Sequence, residues 1–308
     1  MSYQKILVPL DGSELAEKAL PYARDIAKLK KRTMVLFAVS LTMFVDRRDR
    51  LFTSYLEVKA GELNEEGIRT DTATGYGDVA QEIVKYANNN KIDLIVMATH
   101  GYSGAKQWMF GSITQKILYN TLIPVLLIKS KSPEVSVGLN RVLVTVDGSR
   151  FSESTFSHVE ELTKGTKKEV LLLHICEAPV VPSYGSRPIN ATWKKYRDDT
   201  WAEMEKQAAA YLQRTSAAMK KKRIKVQSRL EKAQSGDVAK TIIKIAGEEK
   251  SDLIVIATQG GSGISRWVYG HVASRVVEQS SQPVLLIRPA TSALPPPPQK
   301  RSDNKKRS

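Results

Sequence analysis

The most constraining feature of this sequence is that it contains the same pattern twice. Residues 6–13 (Ile-Leu-Val-Pro-Leu-Asp-Gly-Ser) return at 142–149 as Val-Leu-Val-Thr-Val-Asp-Gly-Ser, and residues 93–101 return at 252–260. The run Pro-Val-Leu-Leu-Ile also occurs once in each half of the 308 residues. A repeat of this length makes each copy a whole domain rather than one unit of a solenoid. The sequence therefore predicts two homologous domains.

The domain boundaries are predicted from the positions of these repeats. We expect a first domain over 1–130, a linker over 131–140, a second domain over 141–290 and a disordered basic tail over 291–308. Asp11 matches Asp147, which lies 136 positions further along the chain, whereas Gly101 matches Gly260, which lies 159 positions further. The second copy is therefore longer by about 23 residues between these two points. We place these additional residues in a loop over 177–200, because three prolines and a glycine fall there.

Short continuous apolar runs alternate with longer amphipathic runs in each copy. Apolar strands without alternation are typical of a parallel sheet that is covered by helices on both faces. The predicted strands lie near 4–10, 33–40, 68–74, 93–98 and 123–128, and again near 141–147, 169–175, 224–230, 252–257 and 283–288. The predicted helices lie near 13–31, 50–66, 77–90 and 112–120, and again near 150–163, 200–222, 236–249 and 271–280. The fold class is therefore α/β.

Composition excludes several broad classes of protein. A content of 42% hydrophobic and 26% charged residues is ordinary for a folded globular chain and excludes wholesale disorder. No apolar run approaches the roughly 18–20 residues of a membrane-spanning helix. The single cysteine, Cys176, cannot form an internal disulfide, so we expect a cytoplasmic protein. The four histidines form no close pairs in the sequence, so no zinc site is predicted.

The net charge of +15 is concentrated in the second half of the chain and in its tail. Basic runs occur at 220–223 and within 291–308. Solvated surfaces are the simplest explanation of both runs. The alternative is a weak attraction to nucleic acid or anionic lipid, which added salt would reduce.

The residues that follow the first strand are candidates for ligand binding. In an open parallel sheet, ligands bind beyond the carboxyl ends of the strands, where the strand order reverses. There the first strand is followed by Asp11, Gly12 and Ser13. Gly12 permits a tight turn, and Ser13 can cap the next helix. Asp11 can either accept hydrogen bonds from ribose hydroxyls or an adenine amine, or form the turn itself.

The segment after the fourth strand carries more information. Its glycines, Gly101, Gly104 and Gly111, would let the backbone approach a bulky ligand. A helix that begins at Ser112 directs unpaired N–H groups and the positive end of its dipole at whatever lies above it, as a phosphate group requires. His100 lies in the same segment, either as a phosphate contact or as a solvated loop residue.

These motifs, taken in order, resemble those of the universal stress protein family over almost all of residues 1–290. The resemblance implies tandem Rossmann-like domains of the adenine nucleotide alpha hydrolase-like type, each with five parallel strands in the order 3-2-1-4-5. ATP-binding members of that family carry an Asp after strand one and the pattern Gly-x2-Gly-x9-Gly-Ser/Thr after strand four. By similarity, Asp11, Gly101, Gly111 and Ser112 take these positions, and Ala98 stands in place of the first glycine.

The resemblance implies further site residues in both copies. The end of the second strand, with Val39 and Ser40, is expected to face the adenine, and no motif fixes which of the two does so. Ile113 is placed beside the phosphate position. The second copy keeps Asp147, Gly260 and Gly270. It has His271 where the family has Ser or Thr, and Ala257 where the family has the first glycine.

The predicted function is an ATP-binding module of stress response or signalling, which holds the nucleotide, with Mg2+, mainly in the first domain. No catalytic residue is predicted, and whether the protein is an enzyme stays open. The alternatives are a nucleotide-free dimerising scaffold with degenerate sites and a slow ATPase. Members of the family pair through their fifth strands, so the two copies are expected to form a pseudo-dimer, and whole chains to pair again, with a protein partner of unknown identity.

Overall fold

The structure is a computed structural model, and it describes residues 3–40, 48–99, 111–130, 132, 138–179, 191–234, 236–258 and 270–289. The first copy comprises β1 (Lys5–Pro9), α1 (Glu14–Glu17), α2 (Ala19–Lys28), β2 (Thr33–Ser40), α3 (Arg48–Glu65), β3 (Thr70–Tyr76), α4 (Val79–Asn89), β4 (Leu94–Ala98), α5 (Ser112–Asn120) and β5 (Val125–Ile128). The second copy comprises β6 (Arg141–Val146), α6 (Arg150–Glu153), α7 (Thr155–Thr163), β7 (Glu169–Glu177), α8 (Ala191–Lys221), β8 (Lys225–Ala233), α9 (Val238–Glu248), β9 (Leu253–Ala257), α10 (His271–Gln279) and β10 (Val284–Ile287). None of these described helices combines the length and hydropathy that spanning a bilayer requires.

All of the described strands belong to one ten-stranded sheet in the order β3-β2-β1-β4-β5-β10-β9-β6-β7-β8. Each copy is parallel and has the expected order 3-2-1-4-5. Among the described strands, the only antiparallel pair is formed by β5 and β10, the fifth strands of the two copies, with Leu126 opposite Leu285. The predicted pairing of the two copies through their fifth strands is therefore present within one chain.

The core lies in two layers, one on each face of the sheet. On β1, Ile6 and Val8 pack into one layer and Leu7 packs into the other, and all three are fully buried. A strand that is covered on both faces must be apolar at every position, as the sequence pattern indicated. Both layers continue from the first copy into the second.

The two copies also cap each other's last helices. Lys129, which follows β5, donates from Nζ to the carbonyl oxygen of Ser280 at the end of α10, at 2.6 Å. Arg288, which follows β10, donates to the carbonyl oxygen of Tyr119 in the last turn of α5, at 3.2 Å. Each cation therefore meets the negative end of a helix dipole in the other copy.

A buried polar cluster joins the copies on one face of the sheet. The guanidinium of Arg32 donates to the carboxylate of Glu161 at 2.8 Å, and the Arg32 side chain has no exposed surface. Lys30 pairs with the other oxygen of Glu161, also at 2.8 Å. Beside them, the Tyr3 hydroxyl lies 2.7 Å from Nδ1 of His158.

The prediction of a loop over 177–200 is wrong in part. β7 includes Glu177, and α8 begins at Ala191, so residues 191–200 are helical. Residues 180–190 lie outside the described residues. From 191 to 221 the sequence has no glycine or proline, and α8 has 31 residues where α3 of the first copy has 18. Part of the additional sequence therefore lengthens a helix, because nothing in it breaks one.

The first helix of each copy is also not continuous as predicted. α1 ends at Glu17 and α2 begins at Ala19, and the second copy divides in the same way between α6 and α7. The expected cap at Ser13 is confirmed, because its hydroxyl oxygen accepts a hydrogen bond from the Ala16 N–H at 3.2 Å.

Candidate functional site

The candidate site lies where the strand order of each copy reverses. β1 pairs with β2 on one side and with β4 on the other, so a crevice opens beyond the carboxyl ends of β1 and β4. Asp11 follows β1, and Ala98 ends β4. The topology thus brings to one edge the two segments that the sequence singled out.

The turn after the first strand is held by Asp11. Its Oδ1 accepts hydrogen bonds from the Ser13 backbone N–H at 3.0 Å and from the Ser13 hydroxyl at 2.6 Å. Gly12 has φ +81°, a left-handed conformation that favours glycine. In the second copy, Asp147 accepts from the Ser149 N–H at 2.9 Å. Of the two roles left open for Asp11, the turn-forming role is observed, and ligand binding stays a proposal.

The start of α5 is organised by one carbonyl group. The Thr99 oxygen accepts hydrogen bonds from the Gly111 N–H at 3.2 Å and from the Thr114 hydroxyl at 3.0 Å. Gly111 has φ −52°, so its backbone alone does not require glycine. A Cβ at Gly111 would lie 3.2 Å from the Thr99 oxygen, closer than most Cβ contacts. The close approach of the two segments is what favours glycine here.

The first turn of α5 leaves backbone donors open. The first bond of the helix runs from the Gln115 N–H to the Gly111 oxygen. Among the described residues, the N–H groups of Ser112, Ile113 and Thr114 have no acceptor. Ser112 and Ile113 are exposed. Open donors at the positive end of a helix dipole can hold an anion such as phosphate.

The second copy keeps this backbone and changes its side chains. The Gly270 N–H donates to the Thr258 oxygen at 2.6 Å, and a Cβ at Gly270 would lie 3.3 Å from that oxygen. His271 stands in place of Ser112, and Ala273 in place of Thr114. The second copy therefore lacks both hydroxyl groups that the first copy has at this helix start.

A cavity of about 320 Å³ occupies the crevice of the second copy. This volume lies at the lower end of the range for small-molecule sites. Its lining includes three predicted site residues, which are Asp147, Gly270 and His271, together with Ala257 at the position of the family's first glycine. The structure therefore brings together the predicted residues that it describes in the second copy.

The same cavity gives a position equivalent to Val39. β2 pairs with β1 from Thr33 onward, and β7 pairs with β6 from Glu169 onward, so the registers place Val39 and Ile175 at matching positions. Ile175 lines the cavity. Val39 is partly buried and packs against the core layer that contains α4.

Several residues that line this cavity were not predicted from the sequence. Val238 and Ile242, from α9, line its apolar side, and Glu177 lines it from the end of β7. Thr258 also lines the cavity, and among the described residues its Oγ1 is buried without a hydrogen-bond partner. The apolar face of α9 was a signal for the first two, but no motif marks Glu177 or Thr258.

One histidine near the second site, His174, has a lowered pKa. Burial lowers the pKa of His174, on β7, while the carboxylate of Asp147 acts in the opposite direction. His174 lies edge-on to the ring of Tyr211, with 6.3 Å between ring centroids.

Across the described ranges, no group of three His, Cys, Asp or Glu side chains is placed to hold a metal ion.

Four predicted site residues, His100, Gly101, Gly104 and Gly260, lie outside the described residues. The roles assigned to them by resemblance stay predictions.

Comparison with known proteins decides the family. The pattern of the Universal stress protein family matches residues 2–129 and again residues 138–288. The chain belongs to the universal stress protein family. As a tandem member, this universal stress protein carries two family domains in one chain.

Individual relatives match one or both domains. A universal stress protein of Methanocaldococcus jannaschii is 30% identical over 145 residues, which cover 43% of this chain and 85% of the relative. A universal stress protein of Mycolicibacterium smegmatis is 23% identical over 224 residues, covering 72% of this chain and 70% of the relative. The crystal structure of a universal stress protein from Archaeoglobus fulgidus superposes with a TM-score of 0.68 at 20% identity, covering 93% of this chain and 97% of that one. This last likeness supports the shared fold.

Proposed function

We propose that this universal stress protein is an ATP-binding module of stress response or signalling. ATP, as its Mg2+ complex, would lie in the crevice beyond β1 and β4, with its phosphates at the start of α5. The observation that carries the proposal is the set of N–H groups at Ser112, Ile113 and Thr114, which have no acceptor among the residues that the structure describes. Fixed backbone donors at a helix N-terminus suit the retention of a polyanion.

The first domain is proposed as the principal site. It retains the Ser112 hydroxyl beside the open N–H groups. The second domain has His271 there, which replaces a small hydroxyl with a bulkier ring. The cavity in the second domain supports a secondary site, because Asp147 and Gly270 line it together.

Nucleotide titration of matched glycine variants tests the proposal. Gly111→Val and Gly270→Val each place a side chain against a carbonyl oxygen, in the first and second domain respectively. Gly61→Ala is the control, because a Cβ there meets nothing within 4 Å. We expect calorimetry to show that Gly111→Val weakens binding of Mg-ATP at least about tenfold, while Gly61→Ala leaves it unchanged. Unchanged affinity in both valine variants would contradict the proposal.

The two alternative functions are separated by cheaper measurements. Heat denaturation of the purified protein should release an adenine nucleotide into the supernatant, and ATP should raise the melting temperature. Failure of both results would favour a nucleotide-free scaffold, for which the continuous sheet of ten strands is suited. Phosphate release from Mg-ATP that disappears in Gly111→Val would instead favour slow hydrolysis.

We also propose that the protein works in the cytoplasm. Its single cysteine, Cys176, is buried, and burial raises the pKa of the thiol. A single free cysteine forms no internal disulfide, as is usual for proteins of a reducing compartment.

A further inference from the structure

The pairing of the fifth strands leaves other edges of the sheet for contact between chains. β5 lies between β4 and β10, and β10 lies between β5 and β9, so both edges of each fifth strand are occupied. Among the described strands, the sheet ends instead at β3 on one side and at β8 on the other. A second chain that extends the sheet must add to one of these two strands.

The backbone of β3 presents open hydrogen-bonding groups at its outer edge. The Met34 N–H donates to the Arg69 oxygen and the Gly77 N–H to the Ser40 oxygen, so odd-numbered positions of this segment face β2. The N–H and C=O groups of Thr72 and Thr74 therefore point away from β2. Among the described residues, these two threonines have no hydrogen-bond partner.

The beginning of the same edge is closed. Oδ1 of Asn64 accepts from the Thr70 N–H at 3.0 Å, and Nδ2 of Asn64 donates to the Thr70 oxygen at 3.3 Å. A side chain from α3 thus occupies the outward groups of Thr70. The open part of the edge is confined to the positions that follow it.

The two ends of the sheet differ in how they resist pairing. β3, with the sequence Thr-Asp-Thr-Ala-Thr-Gly-Tyr, has one charged residue and no proline. β8, with the sequence Lys-Val-Gln-Ser-Arg-Leu-Glu-Lys-Ala, carries charges of both signs, and its central Arg229 is paired with Glu231 and Glu249. Charged residues, lysine above all, and prolines are how natural edge strands avoid pairing with other chains. β8 has such protection, and β3 has little.

We propose that β3 pairs antiparallel with β3 of a second copy of this chain, around a two-fold axis at Ala73. This register sets Thr72 opposite Thr74 of the second copy, where the two exchange a pair of N–H···O bonds, and symmetry repeats the pair. Four backbone hydrogen bonds result, flanked by Thr–Thr contacts that favour strand pairing. Asp71 falls opposite Gly75 of the second copy, so no two like charges meet directly. The same two-fold pairing of β8 would place Arg229 opposite Arg229 of the second copy, so that two like charges meet.

The dimer is weak and depends on concentration, because a short strand pair buries less surface than a stable interface needs. It joins two sheets edge to edge and leaves both candidate nucleotide sites inside their own chains. The pairing is therefore independent of the proposed function.

Disulfide trapping tests the register. Ala73 meets its twin as a non-hydrogen-bonded pair, with Cα atoms about 4.5 Å apart, within the range of a disulfide. Asp71 lies opposite Gly75 of the second copy, so Asp71 of the second copy is four residues away along the strand, about 13 Å. We expect Ala73→Cys to give a disulfide-linked dimer of the full chain under mild oxidation, and Asp71→Cys and wild type to remain monomeric on a non-reducing gel. Equal cross-linking of the two variants, or none in either, would overturn the proposal.

Sedimentation velocity provides a second test with a matched control on the other edge. Thr74→Pro removes an outward N–H from each chain, hence two of the four bonds, without touching the ladder to β2. Ser228→Pro changes an outward position of β8 in the same way. We expect Thr74→Pro to raise the dissociation constant of the dimer at least about tenfold, and Ser228→Pro to match wild type. A wild type that is monomeric at its highest soluble concentration, or a dimer that only Ser228→Pro disrupts, would overturn the proposal.

Discussion

At the scale of single residues, the carbonyl oxygen of Thr99 fixes where the candidate phosphate-binding helix begins. It accepts from Gly111 and from Thr114, and so holds the first turn of α5 against the end of β4. In the second copy, the Thr258 oxygen likewise accepts from the Gly270 N–H. It has no equivalent of the bond from the Thr114 hydroxyl, because Ala273 stands at that position. The two helix starts thus have one backbone plan and different side chains.

His158 makes the stability of the protein depend on pH. Burial lowers its pKa to about 4, whereas an unfolded histidine has a pKa near 6.5. The unfolded chain therefore takes up this proton first as the pH falls, and the free energy of unfolding should decrease between about pH 6.5 and pH 4. The expected loss is on the order of 3 kcal/mol. Chemical denaturation at several pH values measures it.

His158→Gln is the control for this pH dependence. A glutamine oxygen can still accept a hydrogen bond from the Tyr3 hydroxyl, which lies 2.7 Å from Nδ1 of His158. His174, whose pKa burial also lowers, is present in both proteins, so their difference isolates His158. We expect a flatter profile for the variant. Parallel profiles would contradict the assignment.

At the scale of elements, the equivalent helices α4 and α9 offer a natural comparison of capping. Asp78 caps α4 by accepting from the Gln81 N–H at 3.0 Å, and it pairs with Lys116. The hydrogen bond from Lys116 holds the pKa of Asp78 below its usual value. Asp237, at the start of α9, makes no side-chain capping bond.

Alanine substitution should separate these two aspartates. Asp78→Ala is expected to lower the free energy of unfolding by about 1 kcal/mol, because a first-turn N–H loses its acceptor. Asp237→Ala is expected to cost less than half of that. Urea denaturation of both variants checks the difference, and equal losses would mean that the capping bond is not what stabilises α4.

The elements also show what a sequence can and cannot predict. The strands and their order were predictable, because a strand buried on both faces must be apolar throughout. The start of α8 at Ala191 was not, because the first copy has no counterpart to its additional turns. Within the site, the glycine spacing predicted Gly111 and Gly270, but Glu177 and Thr258 enter the cavity only through the packing of neighbouring elements.

At the scale of the whole molecule, the buried cluster around Arg32 and Glu161 joins the two copies. Burial raises the pKa of Glu161, but its bonds with Lys30 and Arg32 hold the pKa below its ordinary value overall. Arg32 also donates to the Ile26 oxygen at 2.9 Å. Loss of Arg32 would leave the buried carboxylate of Glu161 with the partly exposed Lys30 as its remaining cationic partner among the described residues.

We expect Arg32→Met to lower the free energy of unfolding by about 3 kcal/mol. Arg24→Met is the control, because Arg24 pairs with Glu66 at the surface, where a pair contributes less than about 1 kcal/mol. Adding Glu161→Met to Arg32→Met should recover part of the loss, since no buried carboxylate then lacks the guanidinium of Arg32 as a partner. Thermal and urea unfolding measure all three proteins, and a double variant that is less stable than Arg32→Met would contradict the pairing.

The antiparallel contact of β5 with β10 has a thermodynamic consequence of its own. Its two strands are tethered by the polypeptide, so their union is an intramolecular event with a fixed effective concentration. No translational freedom is surrendered when they meet, and dilution cannot part them. Two such halves on separate chains would instead meet as a function of how much protein the cell makes.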